Sequence, residues 1–130
     1  MSLNHTHKNM KSPKIQIIKR DSYSFPVFFT DADCNKLDIT GYTLFFTVKA
    51  LADLDKDDTS AKIQKIITEH TDPEEGESLI TLESDDTDIS AGTYWYDIQL
   101  KCSNGGITSC VSGEFIIIQD VTKSVDIPSV

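Results

Sequence analysis

The sequence predicts an all-β fold of two packed antiparallel sheets, a β-sandwich. Three observations carry that prediction. Apolar residues recur with a period of two almost everywhere, the period of a strand with one buried face. The apolar runs are short and rich in β-branched and aromatic residues. Between them, at short intervals, stand DADCNK, DKDDTS, TDPEEGE, DDTDISAG and SNGG, clusters of residues that tolerate left-handed backbone or make Asx turns. A closed barrel is the alternative architecture, and the chain has no internal repeat.

The strands follow in order. KIQIIKR opens the set, and SFPVFFT follows, with Pro26 marking an edge strand or a strand start because it lacks an N–H. YTLFFTVKAL has the strongest alternation, placing Tyr42, Leu44, Phe46, Val48 and Ala50 on one face. Residues 49 to 58, KALADLDKDD, are the one stretch suited to a helical turn. AKIQKIIT and SLITLES are weaker runs. TYWYDIQLK repeats the clean alternation, with Tyr94, Tyr96, Ile98 and Leu100 inward, and ITSCVS and GEFIIIQDV complete about eight strands. DISAGTYWY, with Asp, Gly and Tyr leading into a core strand, resembles the tyrosine corner of immunoglobulin-like sandwiches, in which either Tyr94 or Tyr96 caps the preceding loop. The fold class is therefore an immunoglobulin-like antiparallel β-sandwich of about seven to eight strands. Its boundaries are a mobile N-terminal arm over 1–12, the sandwich domain over 13–123 and a C-terminal tail over 124–130.

The chain has 130 residues, 38% of them hydrophobic, enough for one domain with one core. It has no long apolar stretch, so a membrane span is not expected, and MSLNHTHKNMKSPK lacks the apolar region of a signal peptide. Charge is unevenly divided. Residues 1–20 carry five Lys and Arg and no acid, whereas residues 21–130 carry seven against all 21 Asp and Glu, a balance of −14. A body so acidic repels phosphate backbones and anionic lipid, so neither nucleic acid nor membrane is an expected partner. Cys34, Cys102 and Cys110 lack CxxC spacing and are odd in number, which predicts free thiols in a reducing compartment. Pairing Cys102 with Cys110 across SNGG requires a loop of about five residues, longer than the tight turn Asn-Gly favours.

Candidate sites are few. Asp31, Asp33 and Asn35 match the first, third and fifth ligands of a calcium-binding EF-hand loop. Its sixth position is Lys36 instead of Gly and its twelfth is Tyr42 instead of Glu, while strand-like runs flank it, so DADCNK reads as a turn with Asn35 as the residue suited to positive φ. A nucleophile needs an oriented histidine. His5 and His7 fall in the arm, and His70 reads as a solvated loop residue. No cofactor and no catalytic constellation are expected, and the chain reads as not an enzyme, although 21 carboxylates always allow some pair at a hydrolytic spacing.

What remains is apolar bulk on the outward parity: Phe45, Trp95, Ile116 and Ile118. Together these form the candidate partner-binding surface, since contiguous exposed apolar area with a Trp marks interfaces. The competing reading is a carbohydrate- or small-ligand-binding module in which Trp95 and nearby tyrosines stack on sugar rings. The setting of Trp95 discriminates: a flat patch favours protein, a groove with carboxylates beside it favours sugar.

DADCNKLDITG and AGTYWYDIQ, with KIITEHTDPEEGESLITLESDDTDIS between them and GEFIIIQDVT after, resemble the immunoglobulin-like N-terminal module of the phage baseplate upper protein family over about residues 14 to 123. Cys34 and Lys36 depart from that family's usual Gly and Pro. The resemblance implies a phage or prophage tail or baseplate component, a virion protein assembled in the bacterial host cytoplasm. It would contact other tail or baseplate proteins, or further copies of itself. The family's fibre-forming region is not expected here, because the sequence closes at VTKSVDIPSV.

Overall fold

Period-two alternation becomes eight strands in the computed structural model, which describes residues 2–4 and 13–121. They are Ser2–Asn4 (β1), Ile15–Ile18 (β2), Tyr23–Thr30 (β3), Thr43–Lys49 (β4), Ile63–Ile67 (β5), Glu77–Leu82 (β6), Gly92–Lys101 (β7) and Ile107–Ile118 (β8). Three single-turn 3-10 helices, Leu51–Asp53, Asp58–Ser60 and Pro73–Glu75, lie in the connections. The first two fall in and just beyond the stretch expected to turn helically. Among the described residues no helix is long and apolar enough to cross a membrane.

The strands form two facing sheets, one of three strands ordered β1-β3-β6 and one of five ordered β2-β8-β7-β4-β5. The predicted β-sandwich is therefore the fold. Two details differ from an all-antiparallel arrangement: β1 runs parallel to β3, and β2 runs parallel to β8. Parallel neighbours need a long connection, and nearly the whole domain separates β2 from β8 in sequence.

The strand number agrees with expectation by a different route. ITSCVS and GEFIIIQDV are one strand, continuous through Gly113, and Ser2–Asn4 supplies another where an arm was expected. The rest of that arm, with His5 and His7, and the predicted tail over 124–130 lie outside the described residues. β1 pairs with Phe28, Phe29 and Thr30, so Pro26 stands outside that register, where its missing N–H costs the β1 ladder nothing.

Among the described residues, the pairing of β7 with β8 shifts register at a bulge. On β8 the register passes from Ile98↔Val111 to Gln99↔Ser109, leaving Cys110 as the extra residue of a β-bulge. The bulge turns both Cys110 and Val111 into the core. Nearer the hairpin turn Cys102 lies opposite Gly106, with Cys102 N–H donating to the Gly106 carbonyl at 2.7 Å, and all three cysteines are free.

The core lies between the sheets, as parity requires. Phe25, Val27 and Phe29 of β3 and Ile80 and Leu82 of β6 face Leu44, Phe46 and Val48 of β4, with Tyr96, Ile98 and Phe115 beside them. Phe46, fully buried, is the hub of an aromatic cluster, its ring centroid 6.0 Å from Phe25, 5.8 Å from Tyr96 and 6.1 Å from Phe115. Gly76 closes the turn before β6 at φ +74, and a Cβ there would stand 2.5 Å from the Phe29 carbonyl oxygen and 2.7 Å from that of Leu37. Only glycine fits between those two backbones.

Candidate functional site

Three sequence candidates resolve into local structure. Asp31 Oδ1 accepts from the Asp33 and Asn35 N–H groups at 2.9 and 3.0 Å, an Asx turn of the kind expected of DADCNK. Positive φ falls on Cys34, at 64°, rather than on Asn35. The tyrosine corner is made by Tyr94, whose hydroxyl donates to the Ser90 carbonyl at 2.6 Å, while the Tyr96 hydroxyl donates to the Pro13 carbonyl at 2.5 Å. Burial pushes the Tyr96 phenol up to about 12.

His70 is not the solvated loop residue the sequence suggested. It is half-buried, with Nε2 2.8 Å from the Tyr42 carbonyl oxygen and Nδ1 2.8 Å from Oγ of Ser78, a serine with no solvent exposure. A carbonyl can only accept, so Nε2 carries a proton, and in the neutral ring Nδ1 accepts from Ser78. The ring thus ties the start of β4 in one sheet to β6 in the other. The cost of leaving a buried serine hydroxyl unpaired explains its place, and spacing along the chain gives no sign of a partner 28 residues away.

The outward parity of Phe45, Trp95, Ile116 and Ile118 is as expected. Phe45, Trp95 and Ile116 are half-buried and Ile118 is exposed, all on the outer face of the five-stranded sheet. Trp95 lies opposite Glu114 and so diagonal to Ile116, whereas Phe45 stands four residues further along the neighbouring strand. Ile116 and Ile118 lie on β8 near the sheet's edge, where Ile118 pairs with the exposed Ile18 of β2. Phe45 and Trp95 lie toward the middle, and each lines a groove of ≈ 570 Å³.

The groove is built in rows across the sheet. Its central row is polar from side to side: Gln64 of β5, Thr47 of β4, Asp97 of β7 and Ser112 of β8 stand in register. One flanking row holds Phe45 opposite Gln99, and the other holds Lys49 opposite Trp95. Phe45 and Trp95 are thus four residues apart along neighbouring strands, which sets their Cα atoms about 14 Å apart. Leu54 and Asp58, from the connection between β4 and β5, make one wall, and Ile107 stands at the other side.

The walls and floor are held in place. Lys49 Nζ donates to the Lys56 carbonyl at 2.7 Å and lies 3.2 Å from Asp58 Oδ1, fastening the connection over the sheet. Gln64 Nε2 donates to Thr47 Oγ1 at 3.3 Å, and Gln99 Nε2 to Asp97 Oδ2 at 3.2 Å. Burial in the groove pushes the Asp97 carboxyl above the usual carboxylate range; the Gln99 bond lowers it, nearby Asp58 raises it and Lys49 lowers it. Hydrogen bonds from Gln64 and Lys49 hold the Asp58 carboxyl below that range. Trp95 therefore sits in a groove with carboxylates rather than on a flat patch. Sequence parity found Phe45 and Trp95; the polar row between them shows in no single strand, because register is what assembles it.

No family model matches the chain, and no curated protein matches it. Among solved structures the fold is similar to the N-terminal domain of phage TP901-1 ORF48, with a TM-score of 0.56, 11% sequence identity, and coverage of 89% of this chain and 93% of that one.

Proposed function

We propose that the chain is a non-enzymatic structural component of a phage or prophage tail or baseplate, acting through protein contacts. The observation that carries this reading is the shared sandwich with a phage protein domain over nearly the full length of both chains. The motifs DADCNKLDITG and AGTYWYDIQ support the same context independently. His70 lends support too, since its two ring nitrogens are engaged in tying the sheets together rather than in orienting a nucleophile.

Ile18, Ile116 and Ile118 are the docking strip in this proposal. They are apolar, outward-facing and neighbours across β2 and β8, the composition that interface centres favour over charged surface. The chain is expressed with an affinity tag in a host that carries the phage genome, and particles are separated on a density gradient. The wild-type chain should sediment with tail structures, and the double variant Ile116→Asp, Ile118→Asp should fold yet remain at the top of the gradient. A wild-type chain found in no particle fraction overturns the proposal.

A further inference from the structure

The geometry points to a second activity on the same sheet: the groove between Phe45 and Trp95 is a binding site for neutral oligosaccharides. This goes beyond a role in the particle, and it stands on different residues from the docking strip.

The first argument is the arrangement of polarity. Protein interfaces concentrate binding energy in an apolar centre ringed by polar residues. Here the order is reversed. The row Gln64, Thr47, Asp97, Ser112 runs through the middle, and the aromatic side chains stand at the two ends. A protein side chain pressed into that row would have to satisfy or strip several polar groups at once, each at a cost. An oligosaccharide suits the pattern. Its ring faces carry C–H groups that lie against the electron-rich face of an aromatic ring, and its edges carry hydroxyls that both donate and accept.

The second argument is the set of partners. Asp97 and Asp58 accept, Lys49 donates, and Gln64, Gln99, Thr47 and Ser112 do both, which answers hydroxyl groups without requiring any one fixed pattern. The Asp97 carboxylate is half-buried beside Trp95's row, where a hydroxyl donating to it makes a charge-assisted bond in reduced dielectric. The volume, ≈ 570 Å³, lies within the range of small-ligand pockets. The side chains are already fixed by their mutual bonds, so little ordering is lost on binding.

Charge selects among saccharides. Lys49 is matched by Asp58, which leaves Asp97 as the surplus charge in a body whose residues 21–130 balance to −14. Acidic sugars are repelled and neutral ones are not.

Trp95 is the one tryptophan of the chain, so its fluorescence reports on the groove directly. The purified chain is titrated with maltohexaose, cellohexaose, chitohexaose and mannohexaose as neutral probes and with oligogalacturonate as the acidic one. At least one neutral probe should shift Trp95 emission saturably at millimolar concentration or below, and oligogalacturonate should not. Asp97→Asn should weaken binding about tenfold or more, the loss of one charge-assisted hydrogen bond. Trp95→Ala, followed by calorimetry, should abolish it. Should Trp95→Ala fail to fold, Gln99→Ala replaces it and should weaken binding of the same probe. No saturable shift with any neutral probe, tighter binding of oligogalacturonate, or binding unchanged in Asp97→Asn each overturns the inference. Loss of the chain from tail particles in Trp95→Ala without any sugar binding makes the groove a protein interface and likewise overturns it.

Discussion

Truncating Phe46 to alanine removes the hub of the aromatic cluster. The side chain is fully buried and its ring lies 5.8 to 6.1 Å from three other rings, those of Tyr96, Phe25 and Phe115. Phe→Ala in a core costs about 3 to 5 kcal/mol, the spread depending on how far the surroundings collapse into the space. Collapse is restricted here because the neighbours sit on three strands in two hydrogen-bonded sheets, and each lost aromatic pair adds to the area term. The expected loss is therefore near the upper end, about 5 kcal/mol, comparable to the entire stability of a marginal domain. Phe45, adjacent in sequence but half-buried on the outer face, should lose less than about half as much on the same substitution. Urea titration followed by far-ultraviolet circular dichroism measures both, and the slope of free energy against urea should be unchanged between variants if only stability has moved. A Phe46→Ala loss below about 2 kcal/mol, or equal losses at the two positions, would refute the assignment of one face to the core and the other to the groove.

Further outcomes follow from the same bonds. Asp97→Asn should raise the melting temperature at neutral pH: the folded carboxyl titrates above its unfolded value, so stability falls as pH rises through that window, and an amide escapes the loss. The gain should vanish in acid below both values, which a melting series against pH reads directly. Tyr96 titrates at about 12 when folded, so the native state should lose stability as pH climbs from about 10, and Tyr96→Phe should flatten that limb. His70→Ala should cost about 2 kcal/mol by stranding the buried Ser78 hydroxyl, and His70→Ala combined with Ser78→Ala should cost less than the sum of the two single changes in a double-mutant cycle. Gly76→Ala should cost about 3 kcal/mol or more, since the added Cβ meets two carbonyl oxygens at positive φ. Millimolar calcium should leave the melting temperature unchanged, because Asp31 Oδ1 is committed to the backbone of its own turn.

Much of the fold was legible because one signal, alternation, fixes both element type and facing. Leu44, Phe46 and Val48 are inward, and Phe45 is outward, as period two demands. Tyr94 and Tyr96 were both eligible for the corner, and the choice depended on which hydroxyl reaches the carbonyl four residues back. Three things were not legible, and each is a matter of distance along the chain. The bulge at Cys110 is defined only against its partner strand. His70 reads as a loop residue until Tyr42 and Ser78 are brought to it. The polar row of the groove consists of residues from four strands, each of which looks like an ordinary solvent-facing position by itself. Parity placed Phe45, Trp95, Ile116 and Ile118 on one face; register sets Trp95 diagonal to Ile116 and puts Phe45 beyond the polar row.

The parallel pairing of β2 with β8 has a mechanical consequence. Tension applied ahead of Ile15 and beyond Ile118 slides β2 along β8, so the bonds from Ile15↔Phe115 to Ile18↔Ile118 are strained together rather than one at a time. The Lys19 N–H to Ile118 carbonyl bond, at 2.8 Å, and the Arg20 to Asp120 ion pair act along the same seam. Load applied instead at Gly92 and Ile117, which face each other on antiparallel strands, would peel that ladder from one end. Resistance to pulling follows the unfolding rate and not the equilibrium stability. A domain whose first and last strands of this sheet form a shear joint can thus transmit force along its length while remaining only modestly stable in solution.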